Sequence, residues 1–113
     1  MHEMSITKSM LEIIKDEMDK SKVSQLRSVR IKVGELTAVE PDALRFCFEA
    51  STKNTPLEGA SLEIEEVPLK GKCRRCGNKF RIEAFVSRCP ECGGADIEKI
   101  SGTELDIVSI EAE

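Results

Sequence analysis

Residues 68–101 read PLKGKCRRCGNKFRIEAFVSRCPECGGADIEKIS, and they hold one short pattern twice, as Cys73-Arg74-Arg75-Cys76-Gly77 and Cys89-Pro90-Glu91-Cys92-Gly93. Twelve residues separate the two pairs. A two-residue gap lets both thiolates of a pair reach one metal ion while the backbone turns between them. The glycine after each pair offers the φ > 0 position that such a turn often needs. Four sulfurs fill a tetrahedral site and leave no open position, so zinc held by Cys73, Cys76, Cys89 and Cys92 is structural rather than catalytic. A segment this short cannot bury enough apolar surface to fold alone, and metal binding supplies the missing free energy.

Charge marks the same segment. Residues 68–100 carry Lys70, Lys72, Arg74, Arg75, Lys79, Arg81, Arg88 and Lys99 against Glu83, Glu91, Asp96 and Glu98. That is +4 in a chain of net charge −4, which leaves −8 for the remainder. The bases offset the formal −2 of a zinc tetrathiolate and favour the thiolate form. Charge and cysteine content change together at Pro68 and again near Gly102, as for a small module inserted into a larger acidic domain.

Other uses of four cysteines fit less well. A redox CxxC is expected at a helix start beside a βαβ unit, and neither pair has that context. A rubredoxin-like iron site shares the CxxCG and CPxCG knuckles, and would colour the protein red. Nucleic-acid binding is disfavoured because the tetrathiolate brings the module to about +2 and only Phe80 and Phe85 could stack on bases. The fifth cysteine, Cys47, falls on an apolar helical stripe and reads as core packing.

Outside the module the periodicity is plain. Met10, Leu11, Ile14 and Met18 recur at helical spacing and predict an amphipathic helix over about residues 4–20. Val29, Ile31 and Val33 alternate with Arg30 and Lys32, a one-sided strand ending at Gly34. Pro41 suits a first helical turn, and Leu44, Cys47 and Phe48 form the stripe of a second helix that stops before Asn54. Leu62 and Ile64 alternate with Glu63 and Glu65, and Leu105 and Ile107 with Glu104 and Asp106, giving two more strands. The basic strand belongs beside at least one acidic strand. The expected fold is α+β: a three-stranded sheet covered on one face by two helices, with an inserted zinc-ribbon-like module of four cysteines. The expected division is 1–67 plus 102–113 for the α/β domain and 68–101 for the zinc-binding domain.

Composition excludes several classes. The chain has 113 residues, 40% of them hydrophobic and 34% charged, which is incompatible with a disordered or low-complexity polymer. It has no Trp and no Tyr, so a platform of stacked aromatic rings for nucleic acid is not expected. No window of apolar residues is long enough to span a membrane, and the opening MHEMSITKSMLEIIKDE lacks the basic start of a secretory signal. An odd number of cysteines argues against a closed disulfide framework and for a reducing, cytoplasmic location. No phosphate loop, second histidine or nucleophile–base pair points to an enzyme.

His2 is the only histidine. A bulky second residue disfavours removal of Met1, so the α-amine, the His2 amide and imidazole Nδ1 can close two fused chelate rings on one ion. Nitrogen-rich, square-planar coordination suits Ni(II) or Cu(II) better than zinc. The first amides of a helix have no intrahelical acceptor, so deprotonating one there costs no helical hydrogen bond. A cation at a helix N-terminus opposes the macrodipole, which Glu3 and the acidic domain partly offset. On the residues alone, an exposed terminal histidine without a metal is the favoured reading, with the chelate as its alternative.

The opening MHEMSI, the stretch VGELTAVEPDALRFCFE, the pair LEIEEVP, the two knuckles and the closing GTELDIVSIEAE together resemble the HypA hydrogenase nickel-insertion proteins. The resemblance runs in register from Met1 to the last strand. It implies nickel binding by the opening MHE, carried here onto His2 with Glu3 and the Met1 backbone beside it, and zinc binding by Cys73, Cys76, Cys89 and Cys92. It further implies a HypB-type GTPase partner and delivery of nickel as cargo to the [NiFe]-hydrogenase large subunit, with urease and its accessory proteins served in some bacteria. Two other readings keep the cysteines without the nickel: a zinc-ribbon adaptor, and an iron electron carrier.

Overall fold

A computed structural model describes residues 2–83 and 87–113. The first helix, α1 (Glu3–Ser21), buries Met10, Leu11, Ile14 and Met18 along one stripe, together with Thr7, whose hydroxyl donates to the Glu3 carbonyl at 2.8 Å. It stops at Lys22, a left-handed residue with φ of 56°. The strand β1 (Leu26–Gly34) follows, then a single 3-10 turn over Glu35–Thr37 and a second helix, α2 (Pro41–Thr52), with its proline in the first turn. The strand β2 (Ser61–Val67) precedes the cysteine module and β6 (Leu105–Ala112) follows it.

The larger sheet has the order β2-β1-β6, with β2 parallel and β6 antiparallel to β1. Charge complementarity goes further than the sequence alone required, because the basic strand lies between both acidic ones. Arg30 faces Glu63 in register, while Lys32 faces Glu65 on one side and Asp106 on the other. Arg30 also reaches across to Glu65 at 2.9 Å. These charges occupy the open face of the sheet. The opposite face carries Val29, Ile31 and Val33, which pack with Ile14, Leu44 and Phe48 into one core. Burying the helices against one sheet face leaves the other to water, hence the clean alternation in β1. Cys47 is half-buried beside that core and not within it. No helix among the described residues is long and apolar enough to cross a membrane.

Between β2 and β6 the chain forms a second, smaller sheet. Its strands β3 (Lys70–Cys73), β4 (Lys79–Arg81) and β5 (Ile97–Ser101) are arranged β4-β3-β5, all antiparallel. Alternation is too short in these strands to be legible in the sequence. Backbone contacts contribute to the junction with the larger sheet. The Leu36 amide donates to the Gly102 carbonyl at 2.8 Å and the Gly34 amide to the Glu104 carbonyl at 2.7 Å. A Cβ on Gly34 would lie 2.2 Å from the carbonyl carbon of Gly102, and one on Gly102 only 2.4 Å from Leu69 Cα. Both positions therefore require glycine.

Candidate metal centre

The two cysteine pairs fold into the same turn. The Gly77 amide donates to the Cys73 carbonyl at 2.8 Å, and the Gly93 amide to the Cys89 carbonyl at 2.9 Å. The Cys73 amide donates to the Asn78 carbonyl and the Cys89 amide to the Gly94 carbonyl, each at 2.9 Å. Gly77 and Gly93 both have positive φ, 79° and 73°, as the sequence pattern anticipates. Each turn aims its amides inward, at the sulfurs.

All four Sγ atoms lie within 4.8 Å of one another, with Cys73 to Cys92 at 3.6 Å and Cys76 to Cys89 at 3.5 Å. A tetrahedron of sulfurs at a zinc–sulfur distance of about 2.3 Å has edges of about 3.8 Å, so the donor set fits a tetrahedral ion. Cys73 and Cys89 are buried and Cys76 and Cys92 exposed, one of each from every pair. Among the described residues, no other group of three or more His, Cys, Asp or Glu side chains is close enough to share an ion.

The electrostatics favour thiolates at the buried positions. The Cys76 amide, with lesser help from the Arg75 amide and the neighbouring sulfurs, lowers the Cys73 thiol against the opposing effect of burial. Burial pushes Cys89 up, but the amides of Cys92 and Glu91, the Cys76 sulfur and the Asn78 side chain overcome it and bring Cys89 to about 6. The Asn78 amide favours a Cys76 thiolate, yet the Cys89 sulfur, burial and the other two sulfurs outweigh it and hold Cys76 at about 12. Four sulfurs this close cannot all ionise without a cation among them. Asn78 also points its side-chain amide at Cys89 Sγ, 3.8 Å away. No sequence signal singled out Asn78, since it is neither a ligand type nor a turn glycine.

The expected nickel residues lie elsewhere. His2 is exposed and immediately precedes α1, where its carbonyl accepts the Ile6 amide at 3.0 Å and its side chain caps nothing. Met1 lies outside the described residues, as does Phe85. Glu3 opens the helix, and its Oε2 accepts the Glu40 amide at 3.2 Å. That hydrogen bond, aided by the residue's own amide and the His2 charge, holds the Glu3 carboxyl below its ordinary value despite partial desolvation.

Glu40 begins a cleft of about 490 Å³ that also takes in Glu35, Glu66, Pro68 and Arg81. The Glu35 carboxylate spans the junction, accepting the Leu69 amide at 2.9 Å and the Arg81 guanidinium at 3.4 Å. Sequence reasoning passed over Glu35 and Glu40, whose importance comes from tertiary neighbours.

Over residues 1–112 the chain matches the family model described as hydrogenase/urease nickel incorporation, metallochaperone, HypA. The chain belongs to the HypA family. Its relatives include the hydrogenase maturation factor HypA of Geobacter metallireducens, 43% identical over 113 residues and covering all of both chains. That of Desulfosudis oleivorans is 44% identical over 115 residues, covering 98% of this chain and 97% of the relative. The fold is also that of the nickel metallochaperone HypA of Helicobacter pylori in solution, with a TM-score of 0.66 at 21% identity, over 99% of this chain and 97% of that one. A second HypA solution structure superposes with a TM-score of 0.74 at 22% identity, over 100% and 97%. The expected fold class and family are thus both borne out.

Proposed function

We propose that the protein is a nickel metallochaperone that carries Ni(II) at Met1, His2 and Glu3 and delivers it during [NiFe]-hydrogenase maturation, while Cys73, Cys76, Cys89 and Cys92 hold a structural zinc. The observation that carries this reading is a division of labour. The one imidazole stands exposed at a helix start, apart from a thiolate cluster that offers an ion four sulfurs and no vacant position.

Cargo has to leave as well as bind. An exposed His2 permits ligand exchange with an acceptor, whereas two buried sulfurs held by matched turns favour retention. The His2 amide has no acceptor among the described residues, so its deprotonation would cost the helix nothing. Glu3, held ionised by the Glu40 amide, offers a negative charge next to the incoming cation. Transfer by ligand exchange makes and breaks no covalent bond in a substrate, so the protein acts as a carrier and not as an enzyme. Residues 1–67 with 102–113 form the nickel-handling part and 68–101 the zinc-holding part. A HypB-type GTPase and the hydrogenase large subunit are the partners, in the cytoplasm, with urease as a second client. The GTPase meets α1 beside the terminus, where Met4 and Ile13 leave apolar surface exposed.

Nickel titration of untagged, zinc-loaded protein beside His2→Ala, with zinc quantified in both, tests the reading. The wild type should bind about one nickel, and the variant none specifically, with its zinc retained. Equal nickel binding by both proteins would make the terminus inert and leave a zinc-ribbon adaptor.

A further inference from the structure

The strands flanking the first knuckle carry a charge arrangement that the metal site does not need. On β3 and β4, Lys70 stands opposite Arg81 and Lys72 opposite Lys79. Directly opposed residues of an antiparallel pair project from the same face, so four cations share one face as two like-charge pairs, an arrangement that opposes folding. The sulfur side of the sheet is different, with Gly71 and Cys73 buried and Phe80 half-buried opposite Gly71. Compensation is slight. Glu98 of β5 is in register with Lys72, but its carboxylate makes no ion pair there. Arg81 is held by Glu35, while Lys70, Lys72 and Lys79 have no ion-pair partner among the described residues.

The larger sheet shows what is missing. There Arg30 and Lys32, two residues apart on β1, face Glu63 and Glu65, two residues apart on β2. Lys70 and Lys72 repeat that spacing, as do Lys79 and Arg81, but no strand sets a matching pair of acids beside them: Glu98 alone stands in register, with Lys72, and Glu35 reaches only Arg81. We propose that Lys70, Lys72, Lys79 and Arg81 form a docking face for an acidic protein segment that presents carboxylates at alternating positions of an extended chain. Alternate residues of an extended chain repeat every 6.6 Å or so, roughly matching the spacing of the cations along each strand.

A long polyanion fits less well. Duplex nucleic acid or an anionic membrane would run on past four cations and over a remainder of the chain that carries −8. Phe80, the aromatic nearest the patch among the described residues, belongs to the sulfur side and offers the cation face no ring for stacking. A short carboxylate segment meets the cations and ends before that repulsion begins.

The experiment uses the full-length, zinc-loaded chain and a short blocked peptide alternating glutamate and serine, followed by amide NMR. Expected are shifts centred on Lys70, Lys72, Lys79 and Arg81, and binding that weakens with salt. The paired variant Lys72→Gln with Lys79→Gln should bind the peptide at least about fivefold more weakly. It should melt no lower than the wild type, because it removes an opposed like-charge pair. Shifts elsewhere, unchanged affinity in the paired variant, or equal binding of a peptide with its glutamates in one block would overturn the proposal. So would tighter binding of duplex DNA or phosphatidylserine vesicles at the same salt. Self-association abolished by the paired variant would assign the face to a second copy of the chain instead.

Discussion

Glu35 and Leu69 meet where the two sheets join, the Leu69 amide donating to Glu35 Oε1 at 2.9 Å. The carboxylate comes from a one-turn helix after β1 and the amide from the residue before β3. Because Arg81 reaches the other oxygen of the same carboxylate, one side chain ties two points of the smaller sheet to the larger.

That clasp is expected to depend on pH. The Leu69 amide first, and Arg81 after it, depress the Glu35 carboxyl below its ordinary 4.5. A depressed carboxyl adds stability that is complete above the ordinary value and is lost as pH falls through the lowered one. The stability difference between wild type and Glu35→Gln should therefore be constant from neutral pH down to about 5 and close below 4.5. Paired denaturant titrations across that range measure it, and a gap that persists unchanged to pH 2 would contradict the assignment.

At the same junction, Gly34→Ala should cost about 1–3 kcal/mol through overpacking against the Gly102 backbone. Thermal melting should show a drop of several degrees. The close approach is between two backbones, so a compensating side-chain rotation cannot relieve it. A variant melting with the wild type would mean that the junction can open at no cost.

Removing the metal should act locally. The core of the larger sheet and its helices includes no residue from 68–101. Chelation, or Cys73→Ser, should abolish amide protection in β3, β4 and β5 while α1, α2 and β1 keep theirs. Hydrogen exchange followed residue by residue would show it. Uniform loss of protection would make the chain a single cooperative unit.

In the core itself, Phe48→Ala should cost about 3–5 kcal/mol and Ile14→Val about 0.5–1.5 kcal/mol. Both side chains are fully enclosed, at 1% and 0% exposure, and neither has a polar atom to leave unpaired. Metal content per folded molecule should stay the same in both, which separates packing from binding.

The parts of this fold that were legible in the sequence are those set by period and spacing. Val29, Ile31 and Val33 announced β1, the Met10–Met18 stripe announced α1, and the twin CxxCG patterns announced the cluster and its φ > 0 glycines. What escaped notice depends on neighbours distant in the chain. Asn78 matters because of where Cys89 lies, Glu35 because of Leu69, and Glu40 because its amide reaches Glu3. The basic strand lies between two acidic ones because β6 returns to its free edge, which periodicity alone does not specify. The short strands β3 to β5 hold too few residues for alternation to register, and they pair because the two knuckles set their direction.

The position of β6 after every other element has a consequence during translation. Until residues 105–112 leave the ribosome, β1 has β2 on one side and an open edge on the other. An open edge of alternating Val and Ile is a template for wrong pairing between nascent chains. Ligation of Cys73 and Cys92 would close most of the intervening loop before β6 arrives, lowering the entropic cost of bringing that strand home. A chain whose knuckles are already ligated would then close that edge sooner once residues 105–112 have emerged.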